Sequence, residues 1–207
     1  MSLSLDPART VVLALHWQVN VIRPEGFFGP LLAEPVARSG VLDRARYFHC
    51  AARSAGLPLV FTRFTVPDDG GGLVRNTGFM RAVADAQHAF RPDASGVALL
   101  PEAGFDENTD EVSDNQRLSA LAGTDLGLRL VQRGVQTLLV TGVATNLTVE
   151  QTARHGTDLG MHVYVVSDCV AAADPETHAA SLANLALVTE GCRTADELLT
   201  ALGASRP

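Results

Sequence analysis

Two patterns of apolar residues alternate along the chain. Thr10–Leu15 ("TVVLAL"), Pro58–Phe64 ("PLVFTRF"), Gln136–Gly142 ("QTLLVTG") and His162–Asp168 ("HVYVVSD") are short runs rich in apolar and β-branched residues. Such runs predict strands buried on both faces. Leu42–Gly56, Thr124–Gly134, Asn146–Gly160 and Thr194–Leu202 instead space their apolar residues at helical intervals, and the first three end in glycine. That predicts helices with glycine stops. Pro175–Gly191 opens with a proline, which suits the first helical position.

Strands alternating with helices imply an α/β fold, with a parallel sheet covered on both faces. A fifth strand is read at Asp110–Asp114 ("DEVSD"). Residues 65–107, which include "PDDGGG", predict long loops with a short helix near Met80–Gln87. Loops that long inside a compact domain usually form lids or subunit contacts. With no internal repeat, linker or low-complexity tract, residues 1–207 read as one domain.

Composition narrows the partners. The chain has 207 residues, 46% of them hydrophobic, which is enough for a full core. A formal net charge of −7 argues against nucleic acid or an anionic membrane as the main partner, leaving a small molecule as the expected one. No apolar run approaches a membrane span, and "MSLSLDPART" lacks the basic flank and apolar core of a signal peptide. Three widely spaced cysteines, Cys50, Cys169 and Cys192, fit reduced thiols, so a cytoplasmic location is expected. All 16 basic residues are arginines. Without lysine, no Schiff base and no lysine acid or base is possible.

Open parallel sheets bind ligands beyond the carboxyl ends of their strands, where strand order reverses. Three segments are expected there, carrying His16 and Gln18, Asp114 and Asn115, and Asn146 and Thr148. Thr145 or Asn146 is expected to cap the following helix. Thr148 then falls in the first turn, where unpaired N–H groups favour negative charge.

"TGVATNLTVEQTARHGTDLG" followed by "VSDCVAAADPETHAASLANLA" resembles the isochorismatase-like, or cysteine hydrolase, superfamily. "RLSALAGTDL" and "VLALHWQVN" extend the resemblance from about Thr10 to Leu202. It implies a three-layer α/β/α sandwich, Rossmann-like, with a mostly parallel sheet of about six strands. It also implies a homo-oligomer, dimer or tetramer, and a cis peptide between Val143 and Ala144.

The family typically works with an Asp, a Lys and a Cys. By motif these positions fall on His16, Asn115 and Thr148, so all three are replaced. Gln18, Trp17, Val143, Ala144 and Asn146 complete the expected substrate-binding set. Phe27, Phe28 and Phe64 are candidate walls, and His178 reads as structural.

His16 is the one member of the trio with an ordinary pKa near neutrality, so it is the candidate acid or base. The alternative is a neutral ring filling space. Thr148 is either a nucleophile activated by His16 or a helix residue bonded to nearby backbone. Asn115 can orient substrate or fix the His16 tautomer, a task Asp114 could also perform. Scattered histidines without paired spacing predict no metal, and no other cofactor is expected. Two functions remain open. One is a hydrolase-like enzyme without the cysteine, acting on a small carbonyl, amide or vinyl-ether substrate. The other is a non-catalytic member that binds a small molecule or serves assembly.

Overall fold

The structure is a computed structural model that describes residues 3–203. Six strands form one sheet in the order β3-β2-β1-β4-β5-β6. They are β1 (Thr10–Leu15), β2 (Leu59–Phe64), β3 (Glu111–Asn115), β4 (Thr137–Val143), β5 (His162–Ala171) and β6 (Gly191–Arg193). Every pairing is parallel. Strand order reverses between β1 and β4, so loops leaving these two strands diverge around a crevice.

The unbroken apolar runs are explained by what covers them. Val11, Leu13 and Leu15 enter a core with Leu126 and Leu130 of α5 (Leu126–Gln132), Ala153 of α6 (Glu150–Asp158) and Leu185 of α7 (Pro175–Val188). Val12 and Ala14 enter a second core, with Ala45 and Phe48 of α3 (Val41–Ser54) and Leu198 of α8 (Ala195–Ala201). Alternate residues of one strand thus feed opposite layers, so neither parity can be polar. The three-layer α/β/α sandwich is the observed architecture.

Elements that cover the strand ends were less legible. A short α1 (Val19–Ile22) follows β1. α2 (Gly29–Ser39) forms where no element was expected, although Pro30 opens it and Pro35 lies inside it. Residues 65–107 hold α4 (Gly78–Asp85) where the short helix was predicted, capped by the Thr77 side chain on Met80 N. The segment is packed rather than loose, because Val66, Met80, Val83, Phe90 and Val97 form a third core with Phe64. β5 runs past Asp168 to Ala171, and β6 is three residues long.

At Gly142 the sequence has little choice. Its φ is 137°, and an added Cβ would lie 2.4 Å from the Leu15 carbonyl oxygen. A side chain there would push β4 off β1 where both strands deliver their loops to the crevice. Among the described residues no helix is long and apolar enough to cross a membrane.

Candidate functional site

His16 is the first residue beyond β1. Its φ is 54°, and it is the one non-glycine residue with positive φ among those described. This left-handed turn breaks the inside–outside alternation of the strand. Trp17 consequently joins Val12 and Ala14 in the α3 layer. There its Nε1 donates to Thr141 Oγ1 at 3.3 Å, and its ring meets His49 edge-on. Trp17 is therefore a core residue and does not line the cavity, contrary to expectation.

Gln18 also departs from its expected role. Its amide nitrogen donates to the carbonyls of Phe64 at 3.2 Å and Val97 at 3.0 Å, while its Oε1 accepts from Phe64 N at 2.7 Å. All of its buried polar capacity is spent on joining β1, β2 and the long segment.

Asn115 ends β3 and is fully buried. Its Nδ2 donates to the Arg117 carbonyl at 2.6 Å, which fixes the amide orientation and turns Oδ1 toward His16. His16 Nε2 lies 3.0 Å from that oxygen. A carbonyl oxygen only accepts, so Nε2 carries the proton and Nδ1 is left as a bare acceptor. Asn115 thus sits behind the histidine and fixes its tautomer. Asp114 does not share that task, since its carboxylate pairs with Arg63 at 2.7 and 2.9 Å.

Burial lowers the His16 pKa to about 4, outweighing the raising effect of the Asn115 hydrogen bond. The ring is therefore neutral at pH 7 and has no proton to give as an acid beyond the one held against Asn115.

Thr148 lies in a π-helical turn, Thr145–Val149, that leads into α6. Its hydroxyl donates to the Leu118 carbonyl at 2.8 Å. The bond is to backbone, as one alternative held, but the partner is thirty residues away rather than local. Neither Thr145 nor Asn146 caps the turn: Ala144 occupies the cap position, with no side-chain hydrogen bond. Thr145 instead pairs with His178 Nδ1 at 2.8 Å, joining the turn to α7, in keeping with a structural His178. The Val143–Ala144 peptide is cis.

A cavity of about 100 Å³ opens at this crevice. His16, Thr148, Val143, Ala144 and Asn146 line it, as do Phe28 and Phe64. The sequence reading missed the other walls: Val21, Leu31 and Leu32 of α1 and α2, Phe79 and Val83 of α4, and Leu118, Leu147 and Ala173. Phe27 is not among them. No charged side chain lines this cavity. The cysteines lie elsewhere, and burial raises the pKa of Cys169 and Cys192. No group of three or more His, Cys, Asp or Glu able to hold a metal occurs among the described residues.

A doubly wound α/β protein with a largely apolar cavity at its switch point is the class that fold and site define. Isochorismatase domain describes the family model matching residues 10–197, and the chain belongs to that family. It is 26% identical to the uncharacterized isochorismatase family protein YecD of Escherichia coli O157:H7, over 97% of this chain and 100% of that one. It is 30% identical to ureidoacrylate amidohydrolase RutB of Methylobacterium radiotolerans, over 88% of this chain and 75% of that one. A solved cysteine hydrolase from Pseudomonas syringae pv. phaseolicola superposes with a TM-score of 0.82 at 25% identity, each chain being covered to 98%.

Proposed function

We propose that this isochorismatase-family protein binds a small, uncharged, largely apolar molecule in the cavity and has lost the covalent hydrolytic route. One observation carries the reading. The two protons that could serve chemistry are both committed, that of Thr148 to the Leu118 carbonyl and that of His16 Nε2 to Asn115. A hydroxyl needs an adjacent base to become a nucleophile, and its proton here faces a carbonyl instead. Acid catalysis on a vinyl ether is disfavoured by the same geometry, because a ring with a pKa of about 4 holds no spare proton at pH 7.

A second reading has one observation in its favour. Nδ1 of His16 has no hydrogen-bond partner among the described residues, and the ring lines the cavity. It could take a proton from water attacking a small carbonyl or amide, giving a hydrolase with no covalent intermediate. The amidohydrolase activity named for the RutB relative keeps that chemistry in view.

A thermal-shift screen of small neutral molecules, followed by turnover assays and intact-mass analysis of the hits, separates the readings. The binding reading expects stabilisation with neither product nor adduct. Turnover abolished by His16→Ala would establish the general-base hydrolase. Turnover abolished by Thr148→Ala but kept by Thr148→Ser would overturn both in favour of a threonine nucleophile.

A further inference from the structure

A second concavity lies beside the cavity and has the opposite character. Arg38 and Ser39 of α2, Arg44 of α3, Ser167 of β5 and His178 of α7 line a cleft of about 360 Å³. It shares Ala173 with the cavity and no other lining residue. No carboxylate lines it, although the chain has 23 acidic and 16 basic residues. Its positive charge is therefore a local feature, set against the sign of the whole molecule.

Arg44 is held in place. Its Nε donates to the Asp168 carbonyl at 2.8 Å and its Nη2 to the Ser39 carbonyl at 2.7 Å. Those bonds orient the guanidinium without neutralising it, and Arg44 has no ion pair among the described residues. Arg38 pairs with Glu34 one turn away at 2.8 Å, and both side chains are exposed, so that bond is weak and easily exchanged. The Ser167 hydroxyl has no protein partner among the described residues. The acids nearest in sequence are occupied elsewhere. Asp168 Oδ1 accepts from Ala195 N at 2.8 Å, and Asp174 caps α7 by accepting from Thr177 N at 2.7 Å.

We infer that this cleft is a binding site for a phosphate-type oxyanion, such as that of a small phosphate monoester, held by Arg44 and Arg38 with Ser167 as a further donor. The site lies outside the cavity and does not depend on what fills it. Its donors stand on α2, α3 and β5, and so converge from separate elements. A phosphate offers three oxygens to meet them, whereas a carboxylate offers two in one plane. The volume leaves room for an organic part beside the phosphate group. Because Arg44 is already oriented by two carbonyls, it loses little freedom on binding. His178 joins the cleft to the cavity, since the ring that lines the cleft is bonded through Nδ1 to Thr145 at the head of the π-helical turn.

Inorganic phosphate and acetate, titrated into the full chain at pH 7 against sodium chloride of equal ionic strength, test the site by calorimetry and by ring-¹⁵N spectra of histidine-labelled protein. Phosphate is expected to bind saturably and to shift the His178 ring signals while leaving those of His49 in place. Arg44→Gln should weaken phosphate binding by roughly tenfold or more, corresponding to about 1.4 kcal/mol. Since Arg44 also ties Asp168 to Ser39, the exposed Arg38→Gln is the variant that leaves the packing intact, and a loss of roughly threefold is expected from it. Arg154→Gln, on the exposed face of α6, should change nothing. A response matched by chloride, or phosphate affinity kept in both Arg44→Gln and Arg38→Gln, would overturn the site. Acetate binding as tightly as phosphate would overturn its assignment to phosphate.

Discussion

Two buried histidines, one on α3 and one just beyond β1, differ in one respect. His49 on α3 is used up: Nδ1 lies 2.6 Å from the Ala103 carbonyl, and Nε2 lies 2.8 Å from Thr141 Oγ1. Thr141 accepts from Trp17 and so has its own proton for Nε2, which makes the network complete. His16 has the opposite tautomer, one nitrogen bonded and the other bare beside a cavity. Burial lowers both pKa values to about 4. A shifted pKa therefore does not distinguish a site from a strut, whereas an unpaired acceptor facing a cavity does.

The largest expected effect concerns what the two rings share. An unfolded histidine titrates near 6.5, so between about pH 6.5 and about 4 the unfolded chain binds protons that the folded one refuses. Stability is thus expected to fall as pH drops through that window, by about 3 kcal/mol per ring when complete. His49 is also under opposing influence from Arg53, which lowers its pKa, and Asp110, which raises it. Urea midpoints between pH 6.5 and 5, above most carboxylate titration, measure the slope. His49→Leu should remove about half of it, and an unchanged slope would mean that the ring is not held neutral.

Next in size is the contrast in stability. His49→Ala leaves a hole, an unpaired Ala103 carbonyl and a stranded Thr141 hydroxyl, so a loss of about 3 kcal/mol is expected. His16→Gly opens onto an existing cavity and removes a side chain from a left-handed position, so about 1 kcal/mol is expected. Equal losses in chemical denaturation would erase the distinction between strut and site.

Much of this contrast was legible in the sequence, and part of it was not. β1, β2 and β4 were readable because strands buried on both faces leave continuous apolar runs. α8 was readable because its apolar residues fall at helical spacing, and the structure adds a capping box between Thr194 and Glu197. α2 was hidden by its two prolines, and β6 by having three residues, too few for any period. In the site, loop order brought out six polar residues, and the family resemblance singled out His16, Asn115 and Thr148 among them; His16 and Thr148 line the cavity, with Asn115 bonded to His16. Trp17 and Gln18 were misassigned because the side on which a residue falls depends on the left-handed φ of His16, which its neighbours do not encode. The cavity walls from α2 and α4 escaped notice because that packing joins segments distant in sequence.

A smaller effect is expected at the π-helical turn. Thr148→Val keeps the volume but leaves the Leu118 carbonyl unpaired, at a cost of about 1 kcal/mol, which Thr148→Ser should recover. The smallest effect is expected from thiol modification. Cys50 is exposed and Cys169 buried, so a mild alkylating reagent should label Cys50 first without altering ligand-induced stabilisation. Loss of that stabilisation in proportion to labelling would place a cysteine in the site after all.

The central claim is that His16 is a neutral acceptor rather than an acid. A pH titration of its ring ¹⁵N and carbon-bound ¹H signals, assigned with His49→Leu and His16→Gly, tests it most directly. The account predicts an Nε2-protonated neutral ring from pH 8 down to about 5, with a midpoint near the value of about 4 set by burial. A His16 midpoint at or above 6.5, or a proton resident on Nδ1, would contradict it and restore the imidazole as an acid for catalysis.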